Sequence, residues 1–79
     1  MAATKQKKKP FSRYSEKLGL RIKELREKRG LTQEQLAVKS HMSQPYLAQI
    51  ESGTTNTTLK FMVKIAHGLK VKVGELFSF

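Results

Sequence analysis

Apolar side chains along this chain fall into repeated helical patterns, each closed by a residue suited to a helix end. Tyr14, Leu18, Ile22 and Leu25 recur at spacings of four, four and three after Phe11, while Arg21, Lys23, Glu24, Arg26, Glu27 and Lys28 take other angles. Residues three and four apart share a helix face, so this stripe predicts an amphipathic helix. Gly30 is expected to end it, with Leu20 as an exposed exception. The next stretch, "TQEQ" at 32–35, fits a capping box: the Thr32 hydroxyl accepts from the Gln35 amide, and the Gln35 side chain reaches back to the Thr32 amide. Leu31 and Leu36 stand at the staple positions, and Leu36, Ala37 and Ser40 are predicted to face inward.

A second helix start follows at once. Ser43 can cap it, and Pro45 is tolerated in the first turn because the amide there has no helical partner. Met42 and Leu47 repeat the staple, Leu47 and Ile50 point to a core, and Gly53 ends the helix. Pro45, Ala48, Gln49 and Ser52 point away, with Gln44 and Tyr46 on the flanks. Beyond the polar "TTNT", Leu59, Met62, Val63, Ala66 and Leu69 predict a fourth helix capped by Asn56 or a following Thr. The closing "VKVGELFSF" fits one or two helical turns better than a short strand. With no sustained alternation and no internal repeat, the class is all-α.

Charge changes the picture from a small helical domain to one that attracts polyanions. The 79 residues allow one domain, and 16 Lys and Arg stand against six acids, giving a formal net charge of +10. Residues 1–10, "MAATKQKKKP", carry four Lys and are expected to form a flexible basic arm, leaving 11–79 as the folded domain. No apolar run approaches the roughly 18 residues of a membrane span, and no secretory signal is evident. Without Cys, disulfides and thiolate metal sites are excluded, and a cytoplasmic location fits.

Catalysis has little to work with. There is no Asp, no GxSxG and no phosphate loop, so neither enzyme activity nor a cofactor is expected. His41 and His67 lie far apart without companions and read as a turn and a helix-surface residue, so no metal site is expected; Met42 and Met62 read as core filling. A membrane-surface helix is disfavoured because the polar faces mix Glu with Lys.

Two short helices across a tight turn have the organisation of a helix-turn-helix, in which the first braces and the second reads DNA. A methyl at Ala37 lets the second helix cross closely. Gln44 and Gln49 offer the donor and acceptor pair that matches adenine in the major groove, and the Ala48 methyl can meet a thymine methyl.

The joint spacing of "RIKELREKRGLTQEQLA", "YLAQIESG" and "TLKFMVKIAHGLKV" followed by "ELF" makes residues 18–77 resemble the lambdoid phage repressor and Cro (XRE) family. That resemblance implies a compact bundle of five α-helices and dimers on two-fold symmetric operators. It implies Gln33 as a phosphate contact, Ser43, Gln44, Pro45, Tyr46 and Gln49 facing bases and backbone, and a structural pair between Arg26 and Glu51. On this reading the bases are met by Ser43, Gln44, Pro45, Ala48 and Gln49, and the phosphates by Gln33, Lys39, Tyr46, Thr54, Asn56 and Lys60. The chain departs from the family at His41, often Gly; at Pro45, often a longer polar residue; at Thr57, often Pro; and at Lys70, often Gly or Asn.

The expected function is a sequence-specific regulator of transcription on double-stranded DNA, a homodimer on a palindromic operator with its recognition helix over 43–52. Val71, Val73, Phe77 and Phe79 are the expected dimer interface, with Leu76 in the core. No second domain is expected to sense a small molecule, so protein concentration would set occupancy. A restriction-modification controller or a Cro-like repressor of bacterial or phage origin fits. The alternative is an antitoxin that binds a toxin and autoregulates its operon; a toxin or a polymerase is then a candidate protein partner.

Overall fold

Helix ends in this chain are written in short-range chemistry, and the computed structural model, which describes residues 12–79, shows each of them closed. The expected basic arm and Phe11 lie outside the described residues. Helices α1 (Arg13–Lys28), α2 (Gln33–Lys39), α3 (Gln44–Ser52) and α4 (Leu59–Leu69) are capped in turn by the hydroxyls of Ser12, Thr32, Ser43 and Thr58, each accepting from the amide three residues on. The capping box of Thr32 and Gln35 is complete. Of the two caps open for α4, Thr58 rather than Asn56 takes the role.

All four helices also stop in the same way. A left-handed residue follows each one, at Gly30 (φ 69°), His41 (φ 54°), Gly53 (φ 74°) and Lys70 (φ 60°). The next amide then reaches back to close the last turn, as in Met42 to the Ala37 carbonyl at 3.0 Å and Val71 to the Ala66 carbonyl at 3.0 Å. His41 and Lys70 hold this geometry with a Cβ, a conformation that costs about 1 kcal/mol relative to glycine.

The fifth expected α-helix is instead a single 3-10 turn, Val73–Phe77. Its five residues lack a side-chain cap, and its amide bonds span three residues, Glu75 to the Lys72 carbonyl at 2.9 Å. So short a segment gains more from the tighter turn that drops Leu76 into the core. No strand occurs among the described residues.

Packing runs in two pairs. Helix α1 lies on α3, α2 lies on α4 and α3, and the 3-10 turn closes against α1 and α4. The centre is filled by Ile22, Leu36, Leu47, Ile65, Leu69 and Leu76, all excluded from solvent. Ala37 is buried as its small size suggested, and Leu20 is exposed. At Gly19 a methyl group would overlap the carbonyl oxygens of Ile50 and Glu51, so the backbones of α1 and α3 touch directly. Ser40 is buried where α2 meets Gly68 of α4, its hydroxyl without a partner among the described residues.

Three apolar expectations are corrected. Tyr14 (74% exposed), Leu59 (70%) and Val63 (40%) lie at helical spacing but not in the core. Tyr14 and Leu59 belong to the first turns of α1 and α4, where no other element covers them, and the buried stripe of α4 is Met62, Ile65, Ala66 and Leu69. Val71 and Val73 pack half-buried against their own core, whereas Phe77 and Phe79 remain exposed.

Candidate nucleic-acid interface

The surface formed by α2, the turn and the N-terminal half of α3 rests on one ion pair. Arg26 of α1 donates from Nε to Glu51 Oε2 at 2.8 Å and from Nη2 to Glu51 Oε1 at 3.1 Å, and its Nη1 reaches the Leu31 carbonyl at 2.9 Å. The two side chains are 11% and 4% exposed, so the pair is shielded and its fork geometry is fully used. Hydrogen bonding to Glu51 raises the Arg26 pKa above its ordinary value, burial pulling the other way. The pair ties α1 to the end of α3 and, through Leu31, to the entry of α2.

Further out, the polar side chains are linked in series. Gln33 donates from Nε2 to Glu51 Oε1 at 3.0 Å, and Gln44 donates from Nε2 to Gln33 Oε1 at 3.4 Å. Gln33 is half-buried and Gln44 exposed. The family resemblance implies the Arg26 to Glu51 pair, but the sequence carries no hint of its extension through Gln33 to Gln44, because these residues are far apart along the backbone.

Other candidates are placed by packing. Ser43 spends its hydroxyl on the cap, accepting from the Tyr46 amide at 3.2 Å. Ser43, Pro45 and Gln49 are exposed and Ala48 half-buried. Tyr46 donates to Thr57 Oγ1 at 3.3 Å and meets Phe61 edge-on, ring centres 4.9 Å apart. Lys64 lies 5.2 Å from the Phe61 ring centre and reaches the His41 carbonyl at 3.5 Å. Phe61 and Lys64 carry no signal in the sequence, and Thr57 stands out there only as a departure from a frequent Pro; the three hold Tyr46 and the turn in place. Lys39, Asn56 and Lys60 are exposed around this surface, and the Thr54 hydroxyl lies 2.9 Å from that of Ser52.

No cluster of three His, Cys, Asp or Glu side chains among the described residues could hold a metal ion. No helix among them is long and apolar enough to cross a membrane.

A short helix braced on α4, followed across a tight left-handed turn by a second whose outer face carries amides, defines a helix-turn-helix domain. Residues 22–76 match the helix-turn-helix family, and the chain belongs to it. The control protein C.MunI of a Mycoplasma species is 38% identical over 63 residues, 78% of this chain and 85% of that relative. The immunity repressor of Bacillus phage phi105 is 41% identical over 59 residues, and the regulator SlrR of Bacillus subtilis 39% over 62. These matches take in 75% and 77% of the chain and 41% of each of those longer relatives. The fold is similar to that of the restriction-modification controller protein C.AhdI from Aeromonas hydrophila, with a TM-score of 0.79 and 38% identity over 80% of this chain and 96% of that one. The resemblance to phage repressors therefore holds, and these relatives are regulators rather than enzymes.

Proposed function

We propose that the protein is a transcriptional regulator that binds double-stranded DNA as a dimer, each α3 lying in the major groove of one inverted half-site. The observation that carries this reading is the exposed face of α3, where Ser43, Gln44, Pro45 and Gln49 project from a helix whose other side is anchored by Leu47, Ile50 and Glu51. Gln44 and Gln49 each suit the donor and acceptor edge of adenine, and Ala48 a thymine methyl. Gln33, Lys39, Tyr46, Thr54, Asn56 and Lys60 flank that face and fix its register on phosphates, which supply affinity without sequence preference.

A groove of about 450 Å³ between the first turns of α1 and α4 and the closing Phe77 and Phe79 supports the dimer. It is lined by Tyr14, Leu18, Leu59, Met62, Phe77 and Phe79 among others, and it leaves more large apolar side chains in water than single scattered residues would. A two-fold axis here would set the recognition helices roughly one turn of B-DNA apart, about 34 Å. The near full-length match to controller proteins, 96% of C.AhdI and 85% of C.MunI, favours a controller of that kind, with occupancy set by protein concentration.

Footprinting of the DNA upstream of the protein's own coding region tests the proposal. Protection of two inverted half-sites is expected, and replacing Gln49 with Ala should cost about 1–3 kcal/mol on that site. Equal losses on that site and on random DNA would remove the base-reading assignment.

A further inference from the structure

We infer that the pocket where α1, α2 and α4 end docks an acidic segment of a second protein, a carboxylate set beside an aliphatic side chain. The pocket, of about 190 Å³, is lined by Arg29, Leu31, Lys39, Gly68, Leu69 and Lys70. Arg29 is the C-cap of α1, Lys39 the last residue of α2 and Lys70 the C-cap of α4, so three helices each deliver one exposed cation to the same lining. Its apolar part is Leu31, half-buried, and Leu69, buried. No carboxylate lines it.

Favourable placement at a helix C-terminus accounts for each cation singly. It does not account for Lys70. That residue holds a left-handed backbone (φ 60°), which glycine adopts freely, and its ammonium meets no hydrogen-bond acceptor or carboxylate among the described residues. What the fold takes from Lys70 is backbone: the carbonyl accepts from Arg29 Nη2 at 3.5 Å, and the amide donates to the His67 carbonyl at 3.1 Å. Glycine offers both. A strained lysine whose side chain serves no group of its own fold points to an anion from outside.

The lining also selects among anions. A phosphodiester backbone brings charge but no aliphatic group to lie on Leu31 and Leu69, whereas an acidic residue next to a leucine, isoleucine or valine brings both. No residue of α3 lines the pocket, so filling it leaves the exposed face of α3 free. Lys39, given to a phosphate above, still leaves Arg29 and Lys70 to the partner when it is so engaged.

The probe is a fluorescein-labelled peptide of four glutamates and a C-terminal leucine, titrated against the full chain by anisotropy beside a second peptide with serine in place of leucine. The variants are Lys70→Gly and Arg29→Gln, and Lys23→Gln, at an exposed cation of α1 outside the lining, corrects for the loss of one charge. Each pocket variant should bind the leucine peptide about threefold more weakly than Lys23→Gln does, the worth of one exposed ion pair. Wild type should bind the serine peptide about fivefold more weakly than the leucine peptide, since a leucine is then no longer withdrawn from water. Lys70→Gly should melt at or above the wild-type temperature while losing peptide affinity, and in amide spectra of isotope-labelled protein the unlabelled leucine peptide should shift Leu31, Gly68, Leu69 and Lys70 first. Absent binding, equal losses for Lys23→Gln and the pocket variants, equal binding of the two peptides, or shifts centred on other residues overturn the inference. A lower melt of Lys70→Gly overturns it too, because the side chain would then serve the fold. A fall in the pocket variants' affinity for a duplex selected by the full chain, beyond that of Lys23→Gln, would assign Arg29 and Lys70 to the DNA backbone instead. The peptide titrations do not depend on how α3 is used, so they decide the inference even if no duplex is selected.

Discussion

Two regions of this domain solve opposite problems. At the surface proposed to face DNA, polar groups that would be costly to bury alone are linked from Arg26 to Glu51 to Gln33. Beside the first turns of α1 and α4, Tyr14, Leu59, Phe77 and Phe79 surround a groove that nothing in the described chain fills. The first region is closed by its own hydrogen bonds, and the second leaves large apolar side chains in water. On the proposed function, the linked region is the one that discriminates and the open groove the one that associates.

The comparison breaks most visibly at Glu51. Glu51→Ala leaves the Arg26 guanidinium shielded without its partner and should cost about 3 kcal/mol of stability, a fall in melting temperature of roughly 12–24 °C for a domain of this size. Circular dichroism melts check this. An unchanged melt with lost DNA binding would mean that Glu51 acts on DNA directly and that the surface proposed to face DNA is not braced as described.

In the other region, Phe79→Asp should weaken self-association by about 2 kcal/mol, roughly the worth of burying one aromatic side chain. The melt of the monomer should hardly change, because Phe79 is 53% exposed. Sedimentation velocity together with binding to one and two half-sites separates the cases: a variant that still dimerises and binds the double site like wild type moves the interface away from this groove.

The smallest expected effect sharpens the contrast by touching neither region. Lys70→Gly removes the Cβ from a left-handed position and should stabilise the fold by about 0.5–1 kcal/mol, with DNA affinity unaltered. A destabilised variant would show that the Lys70 side chain contributes more than its backbone strain costs.

What was legible in the sequence follows the range of the interactions. Caps at Thr32 and Ser43 and the stops at Gly30 and Gly53 depend on residues within four positions, and each appears where the local chemistry put it. Burial was legible only in part, because periodicity gives the direction of a face and not whether another element covers it. Tyr14, Leu59 and Val63 share the spacing of core residues yet face open surface. Ile65, fully buried, was passed over in favour of Val63. The closing segment was one turn too short for an α-helix. The pair between Arg26 and Glu51 came through likeness to a family; the bond from Gln33 to Glu51 joins residues 18 apart and had no local signal at all.

The contact at Gly19 bears on how such a protein acquires a new target. Because the backbone of α1 lies directly on the carbonyls of Ile50 and Glu51, the presentation of α3 depends on a glycine remote from any base. Exposed Pro45 and Gln49 lie outside the buried core and can be exchanged without disturbing it. Gln44 is the exception, since its useful replacements must also suit Gln33. On the proposed reading of α3, a lineage, or a designer, is free to exchange 45 and 49 one residue at a time, while position 19 stays fixed and position 44 changes in step with 33.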